Sequence, residues 1–238
     1  MTTTDIGLGR ASLRKALAAV LPHVGKNLAL GRVRLLMHSD EHLFAIATDG
    51  YSTGIARVAV HEVYALSDLP CIDIEPRTAK ELLAVFTPPK DKDQRSVWET
   101  ESFRVVATTD QVTVTEESDL ADNRRLEVPR LGEPEYYPNV TEVTAVHLRS
   151  APSYTKRVGV NPGYLARFIA SSKVYDGEHL LVEPRHGAGG KGFTFRVGED
   201  FAGVLLPQHL EPAELAAGDT WWVDLIGTLT TPMREAAA

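Results

Sequence analysis

The chain has 238 residues, 43% hydrophobic and 24% charged, with a net charge of −7. That is enough chain to fold without staples as one large domain or two small ones, and the composition excludes a disordered or collagen-like polypeptide. No apolar run approaches the roughly 18–20 residues of a membrane span. Met1–Asp5 shows no basic-then-apolar leader, and the single cysteine, Cys71, excludes an intrachain disulfide or a multi-cysteine metal site. A reducing, cytoplasmic setting with no membrane partner is expected.

A first helix is predicted from about Ser12 to Gly25, with Leu13, Leu17, Val20, Leu21 and Val24 on one face, Ser12 as cap and Gly25 as stop. Pro22 ends or bends it. Val33–Ser39 and Leu43–Asp49 read as a hairpin about Asp40-Glu41-His42, and Thr53–Val60 as a third strand. Cys71–Ile74 leads into a second helix, Pro76–Phe86, which has proline at its first position and is closed by Pro88-Pro89. Ser96–Thr100, Phe103–Ala107 and Gln111–Glu116 read as a meander. Leu120–Asn139 is polar and carries Pro129, Pro134 and Pro138, which makes it the expected boundary between domains 1–137 and 138–238. Arg157–Val160 then enters a third helix, Pro162–Lys173, capped by Asn161 and apolar at Leu165, Phe168 and Ile169. A second meander follows at His179–Glu183, Gly192–Val197 and Phe201–Leu206, and the tail holds one apolar run, Trp221–Ile226. One unit, strand-helix-three strands, therefore recurs near residues 5–60, 71–116 and 157–206, in pattern and not in sequence. The expected class is α+β, with antiparallel sheets outside and helices on one face.

The charge is unevenly placed. The helical windows 10–26, 76–86 and 162–173 hold Arg10, Arg14, Lys15, Lys26, Arg77, Lys80, Arg167 and Lys173 against Glu81 alone, a net of +7, so the remainder is −14. Arginine and lysine are good helix formers, but glutamate is as good and is nearly missing there. The pattern points to helices presenting a basic surface to a polyanion while the other faces repel it.

The run Leu43–Ser52 (LFAIATDGYS) resembles the strand and turn of bacterial DNA polymerase III β sliding clamps. The helix SLRKALAAVL before it and the strand-to-helix element IDIEPRTAKELLAVF after it are similar in order, as is Tyr136-Tyr137-Pro138-Asn139. Residues 157–210, with RVGVNPGYLARFI and DFAGVLLPQHL, resemble the end of the last clamp domain. Such chains have three domains. This one has room for one complete two-unit domain, 1–137, and a second, shortened one with a C-terminal tail, 138–238. Residues 141–156 are too few for a full helix-bearing unit, and Tyr51-Ser52 stands where the family's turn usually continues with an arginine.

The resemblance implies a noncatalytic processivity factor without cofactors, which encircles duplex DNA and slides on it. Its partners would be double-stranded DNA, a replicative polymerase, a clamp loader and further copies of itself in a head-to-tail ring. The eight basic residues above would face phosphates. An apolar pocket for partner peptides would be built from Thr48, Gly50, Tyr51, Pro76, Val204, Leu206, Pro207 and Gln208. Clamp rings follow a pseudo-sixfold plan of about twelve units, so a trimer is expected ahead of a dimer if the chain completes a fourth. The alternative is a clamp-fold module that binds a protein and does not encircle DNA.

Other motifs carry less. His38 and His42 flank a hairpin turn, which lacks the helical geometry of a metal-binding pair. His186–Gly192 is glycine-rich but has no Gly-Lys-Ser/Thr ending and no helix after it, so a flexible hairpin is expected. Cys71 reads as a buried, inert thiol. No nucleophile elbow or His-Glu-x-x-His motif occurs, and an enzyme is the weakest of the three readings.

Overall fold

The computed structural model describes residues 3–66, 71–117, 124–153, 159–176, 178–187 and 190–207. The first half runs β1 (Thr4–Gly9), α1 (Arg10–Val20), a 3-10 turn (Leu21–His23), β2 (Val33–Met37), β3 (His42–Thr48) and β4 (Ser52–Ala65). It continues with β5 (Ile72–Ile74), α2 (Pro76–Val85), α3 (Lys92–Thr100), β6 (Ser102–Ala107), β7 (Gln111–Glu116) and β8 (Arg125–Pro129). Then come α4 (Val140–Arg149), α5 (Pro162–Ser172), β9 (Leu180–Gly187), β10 (Gly190–Val197) and β11 (Phe201–Leu205).

All pairings are antiparallel, and β4 organises them. Its residues Thr53–Ala59 pair with β3 on one edge. On the other edge Ser52–Ala56 pair with β11, and Val60–Ala65 pair with β1. Two sheets thus share β4: one ordered β5-β2-β3-β4-β11-β10-β9, the other β4-β1-β6-β7-β8. Leu131, just past β8, forms a single bridge to Asp73 of β5, which ties the two ends of the order β5-β2-β3-β4-β1-β6-β7-β8 together at one point.

The sheet faces follow from alternation along β4, where neighbouring side chains point to opposite sides. At Gly54 an added Cβ would stand 2.6 Å from His23 in the turn after α1. The Thr53 hydroxyl instead lies 3.4 Å from that of Thr144 in α4. So α1 and α4 lie on opposite faces. Phe168 of α5 stacks on Phe195 at 3.8 Å and packs at Gly203, which puts α5 on the α1 side. Leu13, Ala16, Leu17 and Val20 of α1 are buried against Ile6, Leu8, Val33, Ala56 and Val58. Phe168, Phe195, Phe201 and Leu205 extend the same core. Burying one such large side chain contributes about 1.5–3 kcal/mol.

Several expectations are corrected. Helix α1 begins at Arg10, not Ser12. The Arg10 N–H donates to the Glu101 carbonyl, and the Ser12 hydroxyl accepts from the Ala59 N–H of β4. Ser96–Thr100 belongs to a helix, not a strand. Asp91 caps it by accepting from the Asp93 and Gln94 N–H groups, Arg95 pairs with Glu99, and only Trp98 is buried. The stretch Leu120–Asn139 contains β8. The region 141–156, read as too few residues for a full helix-bearing unit, holds most of a helix, α4. Asn139 caps it by accepting from the Glu142 N–H while its amide donates to the Glu142 carboxylate, a reciprocal capping arrangement. Helix α4 is also the exception to helices on one face. Trp221–Ile226 lies outside the described residues.

Candidate docking cavity and helix surface

The β3–β4 turn is held from three directions. Gly50 takes φ +92°, a left-handed conformation suited to glycine. Its N–H donates to the Thr48 hydroxyl, which itself donates to the Ser52 carbonyl. Asp49 accepts from the Tyr51 and Ser52 N–H groups, and Arg167 of α5 donates to Asp49 at 2.6 Å and to the Ser52 hydroxyl at 2.8 Å. Burial alone would raise the Asp49 carboxyl. The two N–H bonds and the Arg167 guanidinium outweigh it and hold the group below the usual carboxylate range. Tyr51 stacks on Tyr164 at 5.8 Å, with the Arg167 guanidinium 4.6 Å from the Tyr164 ring. The strand after the turn is locked to β11, because Leu206 N–H donates to the Tyr51 carbonyl and Val204 N–H to the Thr53 hydroxyl.

Beside this turn lies a cavity of about 120 Å³, lined by Thr48, Gly50, Tyr51, Thr53, Val204 and Leu206 of the sheet and by Pro138, Val140 and Val143 at the start of α4. Small-molecule sites run to roughly 300–1,000 Å³, so this cavity suits an apolar side chain rather than a whole ligand. The structure brings together Thr48, Gly50, Tyr51, Val204 and Leu206. Pro76 and Pro207 do not line the cavity, and Gln208 lies outside the described residues. Sequence reasoning missed the α4 wall, for which the Asn139–Glu142 cap was the available signal.

The eight basic residues of the helical windows divide by type. Arg10 is 2% exposed. It donates to the Ser102 and Glu117 carbonyls and to the Glu101 carboxylate, beneath the Trp98 and Phe103 rings. It is therefore removed from any basic surface, and burial lowers its pKa despite Glu101 and Glu116 nearby. Arg14 donates to the Leu83 and Phe86 carbonyls and so caps the end of α2. Arg167 is spent on the β3–β4 turn, and Arg77 pairs with Glu81 at 3.0 Å. Lys15, Lys26, Lys80 and Lys173 are exposed, with no ion pair among the described residues. Helix α3 packs against α1 and brings carboxylates to this side, Asp93 and Glu99 among them.

Among the described residues no cluster of His, Cys, Asp or Glu is placed to hold a metal, and no helix is long and apolar enough to cross a membrane. His38 packs on Phe44 at 5.3 Å. Cys71 is buried, and burial followed by the Asp73 carboxylate raises its thiol pKa, which disfavours the nucleophilic thiolate.

No protein-family model and no curated protein matches the sequence. Solved structures do match. The chain is similar to DNA polymerase III subunit β from Borrelia burgdorferi, solved in complex with a natural product. The TM-score is 0.57 at 12% identity, covering 89% of this chain and 64% of that one. It is similar to the Bacillus subtilis DNA polymerase sliding clamp at TM-score 0.57 and 16% identity, covering 87% of this chain and 64% of that one. It is also similar to the Streptococcus pneumoniae DNA polymerase III β chain at TM-score 0.58 and 16% identity, covering 87% of this chain and 65% of that one. The chain has the sliding-clamp fold and spans less than two thirds of the length of each of these clamps.

Proposed function

We propose that the protein is a noncatalytic DNA sliding clamp, which closes a head-to-tail ring around duplex DNA and tethers a replicative polymerase delivered with a clamp loader. The observation that carries this reading is the meeting of a clamp fold with four exposed lysines, unpaired among the described residues, on the elements of its helical side: Lys15 on α1, Lys80 on α2, Lys173 closing α5 and Lys26 in the loop after the 3-10 turn. Lysine on a long flexible stem gives nonspecific, salt-sensitive phosphate contact, which is what sliding requires. Acidic residues dominate elsewhere, so DNA approaching any other face is repelled.

The cavity at Thr48, Tyr51, Val204 and Leu206 would take the apolar anchor of a partner peptide. The described residues hold two complete units and the helix and three strands of a third. A twelve-unit ring closes as a trimer if residues beyond 207 help complete a fourth unit. Closure is favoured because an open head-to-tail contact propagates into filaments.

The test is to replace Lys15, Lys26, Lys80 and Lys173 together by glutamate. Association with nicked circular duplex should be lost with the fold intact. Neutralising four phosphates fewer should flatten the log K against log salt slope by about 3–4. Unchanged DNA association in the variant would remove these lysines from the contact, and no association of the wild type would leave the alternative, a clamp-fold protein-binding module. A strict monomer at tens of micromolar, with and without DNA, would also favour that module.

A further inference from the structure

Helix α5 is packed on one side only. Tyr164, Phe168 and Ser171 turn toward α1 and the 3-10 turn, where the Ser171 hydroxyl donates to the Ala19 carbonyl at 2.6 Å. Its other side carries Leu165, 38% exposed, and Ile169, 44% exposed, one helical turn apart. Val182 of β9, 47% exposed, pairs directly with Phe195, whose ring stacks on Phe168. Directly paired residues share a sheet face, so Val182 lies on the α5 side and continues the apolar strip. Helix α1, by contrast, has α2 and α3 beside it. Among the described residues no helix takes the corresponding place beside α5.

We propose that the C-terminal segment of this same chain, residues 208–238, covers that strip, with Trp221-Trp222-Val223-Asp224-Leu225-Ile226 as the covering run. Composition fits: outside the described core this is the chain's densest apolar stretch, with two tryptophans able to bury large areas. Reach fits as well. The described chain leaves β11 at Pro207, and Gly203, Phe195 and Val182 are successive cross-strand neighbours. The strip therefore begins about 10 Å from β11 at the usual strand spacing. The 14 residues from Pro207 to Trp221 span up to about 45–50 Å when extended. Charge is compatible: the segment carries Glu211, Glu214, Asp219, Asp224 and Glu235 against Arg234, and Lys173, exposed at the end of α5, has no ion pair among the described residues. The rival occupants are a second copy of the chain or a different protein.

The experiment uses the full chain. Ile169→Cys places a thiol in the strip, and the native Cys71 is buried and reacts slowly. Its alkylation by iodoacetamide is compared with and without Trp221→Ser/Trp222→Ser in the same chain. A covered strip predicts at least a tenfold slower reaction with the tryptophans present, independent of protein concentration. Native-state hydrogen exchange should agree, with residues 165–172 and 180–184 losing protection in the tryptophan variant while β2 and β3 keep theirs. Equal alkylation in the two backgrounds overturns the proposal. Protection that appears only as protein concentration rises also overturns it and assigns the strip to a second copy.

Discussion

His23 should make the junction between the two halves of the molecule sensitive to acid. It is fully buried between Phe168, with ring centroids 4.6 Å apart, and Phe201 at 5.9 Å. The Ser171 hydroxyl is committed to a carbonyl, so the 3.1 Å contact requires His23 Nε2 to donate. Nδ1 then holds a lone pair with no partner. A proton there would have no acceptor and would sit in an apolar pocket near Arg167. Burial first, then the Arg167 charge, lowers the pKa from 6.5 to about 3. For a base whose folded pKa is depressed, the unfolded chain binds the proton first. Stability is therefore complete above pH 6.5 and is lost as pH falls toward 3. At about 1.4 kcal/mol per pH unit, this one group removes about 2 kcal/mol between pH 7 and pH 5. His23→Gln keeps an N–H within reach of Ser171 and cannot titrate. Urea unfolding of both chains at pH 7, 6 and 5 should show the variant losing about 2 kcal/mol less than the wild type over that range. If both lose the same amount, His23 is either solvated or protonated in the native state, and the argument fails.

Leu206→Asp should weaken capture of a partner-derived peptide by at least tenfold, read by fluorescence anisotropy, because it puts a carboxylate at the apolar cavity. The same peptide should bind the wild type in the micromolar range, about −8 kcal/mol. Arg10→Ala should destabilise the chain by about 3–5 kcal/mol in chemical denaturation, since part-buried Glu101 and buried Glu116 lose a partner. Arg14→Glu should lower the melting temperature, unlike Lys15→Glu beside it, because only Arg14 donates to the carbonyls that end α2. Multi-angle light scattering across a concentration range should show a closed oligomer, a trimer first.

Elements carrying periodicity over their whole length were legible in the sequence. The α2 and α5 starts, the β2–β3 hairpin and the β6–β7 pair fall where alternation or a proline-led helix start placed them. Misreadings arose where a partner distant in sequence decides the outcome. Arg10 starts α1 because Glu101 supplies a carbonyl from 91 residues away, which no local cap reveals. Ser96–Thr100 was read as the first strand of a meander, yet it belongs to α3, which buries only Trp98, whose indole donates to Glu116 at 3.0 Å. Leu165 and Ile169 were grouped with Phe168 on one apolar face, and only Phe168 meets the core. The cavity was legible on its sheet side, since the Thr48–Tyr51 turn and the Val204–Leu206 strand are each local motifs. Its α4 wall was not, because α4 presents a mixed face: Val140, Thr144 and His147 are buried and two of those three are polar.

The charge pattern gives the same lesson in electrostatic form. A count of basic residues treats arginine and lysine as one quantity, but the fold separates them. All four arginines of the three helical windows are engaged: Arg10 in a buried network, Arg14 at a helix end, Arg77 with a carboxylate and Arg167 at a turn. All four lysines are exposed and unpaired among the described residues. The guanidinium's planar fork, with several donors, can serve two carbonyls or two side chains at once, as Arg14 and Arg167 do here. An ammonium is a strongly hydrated point charge, and burying it without several acceptors costs more than it returns. Structural demand therefore ties Arg10, Arg14 and Arg167 into the fold, while Arg77 stays at the surface in its pair with Glu81 and the four lysines stay exposed. The positive groups of the helical windows with no ion pair or hydrogen bond among the described residues thus fall from eight to the four lysines, and those four are the first to test for the proposed DNA contact.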